Sequence, residues 1–427
     1  MKRRDFLKNT TAGVVIPYLV NGMQVKAMAG TPLMNAMSRY MNDDRVLVLI
    51  QLNGGNDGLN TVVPFDQYAA YQAARTNIAI PQNKVLRLNG TEQTGLHPAL
   101  SGLQQLYNAG KLGIVQSVGY PKPNFSHFRA ADIWMTASDS DKVLNTGWAG
   151  RYLDTVFPQF PQQYPSAAMP DPLAIQVGSV VTTALQGPAF SMGLAISNPA
   201  NFYNLIEGKT DVDVNSRWGE QMDYLETMSL KTDEYAAVIK QAAMKVTKQG
   251  DKYPAAGKNS LADQLKIVAR MIGGGLKTKI YMVNMGSFDT HAKQTDTMDT
   301  TTGSHAQLLT KLSEAITAFM DDLDYLKVGD RVMGMTFSEF GRRIKSNASG
   351  GTDHGAAAPM FYFGNQVKAG VAGHSPVLPA TASVNDNIDM QHDFRSVYAT
   401  VLQQWFYLDA ADVQRVLGGV HPLLPIV

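Results

Sequence analysis

The sequence predicts an α/β fold with a mainly parallel central sheet and helices on both faces. Three observations carry this. Strand-like and helix-like segments alternate along most of the chain, the signature of crossover-connected parallel strands. The first strand is a continuous apolar run, Val46-Leu47-Val48-Leu49-Ile50, as expected of a strand covered on both faces. The polar clusters fall just past the carboxyl ends of predicted strands, the edge at which open α/β sheets bind ligands.

The elements follow in order. The run 46–50 leads into the loop Asn53-Gly54-Gly55-Asn56-Asp57-Gly58. A helical pattern opens at His97-Pro98 with Leu103 and Leu106 on one face, and Gly110-Lys111 ends it. Ile114 to Val118 reads as a second strand, followed by a proline-broken loop and a helix starting near Ser126. A short strand is expected at 173–177, and helical periodicity dominates about 198–250. Leu261, Leu265, Val268 and Ile272 form a helix face stopped by Gly273-Gly274-Gly275. Strands are expected at 279–284 and 332–337, with a further one around Phe361-Tyr362-Phe363. Ser304 is expected to cap a long helix, and Asp393 to cap the last clear one. The domain reading is a leader at 1–29, a linker at 30–44, and one domain at 45–427 with a largely helical insertion at about 198–275.

The leader rests on Lys2-Arg3-Arg4-Asp5-Phe6-Leu7-Lys8, a weakly apolar stretch from Thr11 to Val20, and Ala27-Met28-Ala29. Paired arginines, a short apolar core and a small-x-small cleavage site occur in the order of a twin-arginine (Tat) signal peptide. Periplasmic or secreted localisation follows. The leader holds five of the Lys/Arg and one Asp, so its removal turns a formal charge of +1 slightly negative. That balance argues against a nucleic-acid partner. No later apolar run approaches the length of an integral membrane segment. With no cysteine in the chain, disulfides, thiolate metal sites and cysteine nucleophiles are excluded, so any metal would be held by Asp, Glu, His or hydroxyl groups.

Each polar cluster has a functional and a plain reading. Asn53 to Gly58 lacks the signature of a phosphate-binding loop and serves equally as a tight turn. Asp289 and His291, two apart, would face one cation from an extended segment; a loop Asp beside a surface His looks the same. Asp353-His354 is a second such pair. Glu339 with Arg342 and Arg343 reads as an acid beside anion-binding cations, or as a solvated helix start. Ser126 at a helix N-terminus is placed as a phosphoryl or sulfuryl acceptor, or as an ordinary N-cap. His97, His305, His374, His392 and His421 are taken as structural or surface residues.

Taken together, the run from Val48 to Asn60, Asn124-Phe125-Ser126-His127-Phe128, Thr146-Gly147-Trp148, Phe288-Asp289-Thr290-His291 and Phe337 to Arg342 resemble the Tat-exported bacterial family of domain of unknown function 1501. That family is grouped with the alkaline phosphatase and sulfatase superfamily. The resemblance implies an alkaline phosphatase-like fold and a divalent metal, drawn from Zn, Mg, Mn or Ca. It implies Asp57, Asp289, His291, Glu339 and His354 as metal ligands and Ser126 as nucleophile. On that reading Asp57, Ser126 and Glu339 would hold one ion, Asp289, His291 and His354 another, and the guanidiniums of Arg342 and Arg343 would cradle the anion's free oxygens. Superfamily members have an adjacent Asp-His pair where this chain has Glu339-Phe340. His127 is a candidate substitute for the lost imidazole; a single ion, or none, is the alternative.

Two functions follow. The first is an exported metal-dependent hydrolase acting on an anionic phosphate or sulfate ester. The second is a non-catalytic or partner-dependent cell-envelope protein with a degenerate metal site, working with a co-encoded exported protein. A sugar- or polymer-binding module using Trp134, Trp148 and Tyr120 is a third, weaker reading.

Overall fold

The computed structural model describes residues 17–20, 23–26, 44–178, 181–196, 202 and 222–427. Most of the expected leader and linker, and part of the expected insertion, lie outside the described residues. No helix among the described residues is long and apolar enough to cross a membrane.

The central sheet has nine strands. They are β1 (Val46–Leu52), β2 (Leu112–Gly119), β3 (Ala174–Val177), β4 (Gly193–Ile196), β5 (Ile280–Met285), β6 (Val332–Phe337), β7 (Ala358–Gly364), β8 (Gly370–Ala372) and β9 (His392–Asp393). Their order is β8-β2-β7-β6-β1-β5-β3-β4, with β9 pairing with β2. Every pairing is parallel except those of β7, which runs against both β6 and β2. The expected α/β architecture with a mainly parallel sheet is what the chain adopts.

The apolar run of β1 explains why it lies at the centre. Successive side chains point to opposite faces. Val46, Val48 and Ile50 enter one core, and Leu47 and Leu49 the other. Helices α1 (Ser101–Asn108), α5 (Ser260–Gly273) and α6 (Ser304–Tyr325) contribute to the first core. Helices α2 (His127–Thr136), α3 (Trp148–Val156) and α7 (Phe394–Thr400) contribute to the second. Helix α4 is Met222–Lys245.

The Asn259 side chain accepts from the Ala262 amide to start α5, and Gly275 at φ +95° takes the chain away from its end. Leu261, Leu265, Val268 and Ile272 of α5 are buried with Val48. Helix α5 thus packs on the sheet, between β4 and β5 in chain order. Asp393 caps α7 through the Arg395 amide, as expected. Ser304 does not cap α6: Gly303 precedes the helix, and the Ser304 hydroxyl donates to the carbonyls of Lys293 and Gln294.

The aromatic residues of the sugar-binding reading are core. Trp134, Trp148 and Tyr120 are 3%, 1% and 6% exposed. Trp148 stacks on Tyr398 and Trp134 on Phe394. No binding platform is formed by them.

Candidate metal centre

Strands β1, β2, β5 and β6 run in the same direction, so the loops at their carboxyl ends meet at one rim. Gly54 holds the first loop against the third. Its φ is +119°, and a Cβ there would lie 2.3 Å from the Asp289 nitrogen, so only glycine fits. The Gly54 amide donates to Glu339 Oε1 at 2.7 Å.

Three imidazoles face Asp289 at this rim. His127, the first residue of α2, places Nε2 3.5 Å from Asp289 Oδ2. The Nε2 atoms of His291 and His354 lie 3.0 and 3.3 Å from Asp289 Oδ1. The outer nitrogen of each ring is already engaged. His354 Nδ1 is 2.8 Å from the Phe125 carbonyl, His127 Nδ1 is 2.9 Å from Glu339 Oε1, and His291 Nδ1 is 3.3 Å from Asp353 Oδ1. The Phe125 carbonyl can only accept, so His354 Nδ1 carries the hydrogen. His127 and His291 have a carboxylate at both ring nitrogens, and the tautomer with the hydrogen on Nδ1 is the one that frees Nε2 for a cation. In the neutral rings the lone pairs then sit on the converging Nε2 atoms.

That arrangement orients imidazoles for a cation. His127, Asp289 and His354 each offer a ligand atom within 4.8 Å of the other two. His291 adjoins them, its Nε2 2.8 Å from that of His354. Two lone pairs at that separation need a proton on one ring or a cation beside both. The donor set therefore fits a divalent ion bound mainly by nitrogen. Burial lowers the His354 pKa, and the nearby Arg342 charge adds to this, favouring the neutral ligand form. Burial alone would raise the Asp289 carboxyl, but the Arg342 guanidinium overrides it and holds the acid below the usual carboxylate range.

The other expected site residues take different roles. Asp57 has its partners away from the imidazole cluster: it is fully buried, and Arg75 Nη1 reaches its oxygens at 2.6 and 2.8 Å while Gln294 Nε2 donates to Oδ2 at 2.6 Å. Burial raises its pKa, and Arg75 outweighs that to keep it lowered. Arg342 is likewise committed to protein partners. It is 0% exposed, and its donors go to the carbonyls of Gly54, Gly55, Phe288 and Thr352 and to Asp289. Glu339, 3% exposed, stands behind His127 as its hydrogen-bond partner and is not directed at the ion position. Ser126 is the N-cap of α2, is exposed, and makes no side-chain capping bond. Phe340 fills the place of the expected second imidazole, its ring 5.0 Å from that of His127 and 4.5 Å from that of His354.

An open cavity of about 340 Å³ adjoins the imidazoles, walled by Phe125, His291, Arg343, Asp353, His354 and Asn385. Arg343 donates to the carbonyls of His354 and Asn385, its Nη2 has no hydrogen-bond partner among the described residues, and its guanidinium lies 5.1 Å from the Phe125 ring centre. Sequence reasoning missed Arg75, Gln294, Thr290, Thr352 and Asn347 as supports of the site, because nothing in their spacing marks a contact across loops.

A family model described as "Protein of unknown function (DUF1501)" matches residues 117–419. The chain belongs to this family. As a DUF1501 member it contributes His127, Asp289, His291 and His354 from inside the matched region. Among solved structures it is similar to a protein of the alkaline phosphatase superfamily from Vibrio parahaemolyticus, at 9% identity and TM-score 0.39, covering 85% of this chain and 66% of that one. It thus spans just under two thirds of that protein. It is also similar to the C-terminal periplasmic domain of EcEptC from Escherichia coli, in complex with Zn, at 8% identity and TM-score 0.34, covering 76% and 74%. The alkaline phosphatase of the Antarctic bacterium TAB5 is a third, at 9% identity and TM-score 0.30, covering 88% and 99%. No curated protein matches the chain.

Proposed function

We propose that this protein is an exported metal-dependent hydrolase of phosphate or sulfate esters, with its ion held by His127, Asp289 and His354 and supported by His291. The observation that carries the reading is the shared posture of three imidazoles, each with Nδ1 committed to an oxygen and Nε2 turned to one carboxylate. Nitrogen-rich ligation favours zinc over magnesium or calcium within the divalent set. Phe340 in place of a second imidazole supports a single ion.

The bound ion would supply Lewis-acid polarisation of an ester oxygen and favour the deprotonated form of an attacking hydroxyl. The chain supplies the rest. Ser126 is the proposed nucleophile: its hydroxyl is not spent on capping and sits beside His127. Backbone amides at the start of α2 favour negative charge there. Of the two expected anion-binding cations, Arg343 is the one that lines the cavity, its Nη2 without a hydrogen-bond partner among the described residues. The twin arginines at Arg3-Arg4 support export through the Tat route.

Elemental analysis together with turnover of aryl phosphates and aryl sulfates tests this. Stoichiometric metal that is lost in Asp289→Ala and His354→Ala, with turnover lost in Ser126→Ala, is the expected result. A metal-free protein that stays inert after Zn²⁺, Mn²⁺ and Mg²⁺ are supplied would overturn it and favour the partner-dependent envelope protein.

A further inference from the structure

The two loops that carry the ligands are not adjacent in sequence, and one buried side chain joins them. Gln294 is 0% exposed. Its Oε1 accepts from the Thr290 hydroxyl at 3.0 Å and the Thr352 hydroxyl at 3.1 Å. Thr290 stands between Asp289 and His291, and Thr352 directly precedes Asp353-His354. Its Nε2 donates to Asp57 Oδ2 at 2.6 Å, and Asp57 is anchored to Arg75. The Gln294 main chain extends the connection: its amide donates to the Gly350 carbonyl at 2.8 Å, and its carbonyl accepts from the His305 amide at 3.1 Å at the start of α6.

We infer that Gln294 is a positioning residue for the metal centre: it fixes the separation of the Asp289–His291 loop from the Asp353–His354 loop by gripping both threonines at one oxygen, with the Asp57–Arg75 pair as its anchor. This rests on the reading that His127, Asp289, His291 and His354 bind a cation. The residue type fits the task. An amide presents an acceptor to two hydroxyls and a donor to a carboxylate at the same time. A glutamate would set a second carboxylate against Asp57. A hydrophobic side chain would leave two hydroxyls and one Asp57 oxygen without this partner in a buried site. Other bonds also join the loops, among them the Thr352 amide to the Thr290 carbonyl at 3.2 Å, the Lys293 amide to the Ser349 carbonyl at 3.0 Å and Asn347 Nδ2 to the His291 carbonyl at 2.9 Å; they hold the main chains but not the rotation of either threonine.

The test compares wild-type protein with Gln294→Met, Thr290→Val and Thr352→Val, all prepared metal-free. Zn²⁺ affinity is measured by competition with a chelating dye, Co²⁺ absorption reports coordination geometry, and Tm is recorded without metal. Gln294→Met should weaken Zn²⁺ binding by on the order of tenfold or more and alter the Co²⁺ spectrum. Each threonine variant should weaken binding by a smaller factor. A Gln294→Met protein with a lower metal-free Tm, unchanged Zn²⁺ affinity and an unchanged Co²⁺ spectrum would show a merely structural role and overturn the inference. If that variant does not fold, the two threonine variants decide by the same criterion. Failure of the wild type itself to bind Zn²⁺ or Co²⁺ would instead overturn the metal-centre reading beneath it.

Discussion

Glu339 Oε1 lies 2.9 Å from His127 Nδ1 while also accepting the Gly54 amide at 2.7 Å. One buried carboxylate oxygen thus joins the His127 imidazole to the first loop of the rim. Glu339→Gln is expected to keep the packing but weaken the pull on the His127 proton. Zn²⁺ affinity should fall by about 10–100-fold, read by competition with a chelating dye. An affinity equal to wild type would show that the pair does not orient the ligand.

Metal should also stabilise the fold. An ion that binds only the native state adds about 2.7 kcal/mol at a free concentration 100 times its Kd. Adding Zn²⁺ to metal-free protein should raise Tm, and chelator should reverse the rise. His354→Ala should show neither response.

The Asp57–Arg75 pair makes a stability prediction of its own. Both side chains are 0% exposed, so removing either charge strands the other. Asp57→Asn should cost about 3–5 kcal/mol, measured by urea unfolding. The double variant Asp57→Asn with Arg75→Met should cost less than the sum of the two single variants.

Two buried histidines predict a pH dependence. Burial pushes His305 down to about 4 and His97 down to about 3, with the charge of His305 disfavouring that of His97. In the unfolded chain histidine takes up its proton near pH 6.5. Below that pH the unfolded state binds protons that the native state does not, so stability falls as pH falls. The loss begins near 6.5 and continues to about 4 for His305 and about 3 for His97. The slope is about 1.4 kcal/mol per pH unit for each histidine. His305→Gln should flatten part of the profile of unfolding midpoint against pH; an unchanged slope would contradict this.

Gly351 offers a purely steric test. A Cβ there would come within 2.4 Å of the His291 carbonyl carbon and 2.5 Å of the Thr290 oxygen. Backbone cannot yield as a flexible side chain can, so Gly351→Ala should displace His291 and lower metal affinity, with little effect on the sheet's far-UV circular dichroism.

The sheet and the rim were legible in the sequence for physical reasons. A strand covered on both faces must be apolar throughout, so β1, β5 and β6 announce themselves. Loops that leave parallel strands in the same direction must share an edge, so the clusters around Asp57, Ser126, Asp289 and Glu339 could be assigned to one rim before any coordinates. What could not be read was the side of the rim to which each side chain turns. Arg342 and Arg343 are neighbours in the sequence, yet Arg342 is sealed among carbonyls and Arg343 lines the cavity. Arg342 pairs with His354 as an isolated bridge, and in extended backbone adjacent side chains point to opposite sides. The Asp57–Arg75 pair could not be read either, because Arg75 lies 18 residues further along the chain, where no spacing rule reaches it. Trp134 and Trp148 illustrate the same limit: an aromatic side chain looks alike in sequence whether it stacks on a ligand or on Phe394 and Tyr398.

The reversed direction of β7 has a further consequence. A parallel successor to β6 would have forced the chain to the far edge and back through a crossover. The antiparallel strand lets residues 338–357 form one uninterrupted excursion, and Glu339, Phe340, Arg343, Asp353 and His354 all come from it. Substitutions within this single stretch can therefore reshape that rim while the order of the sheet is left untouched.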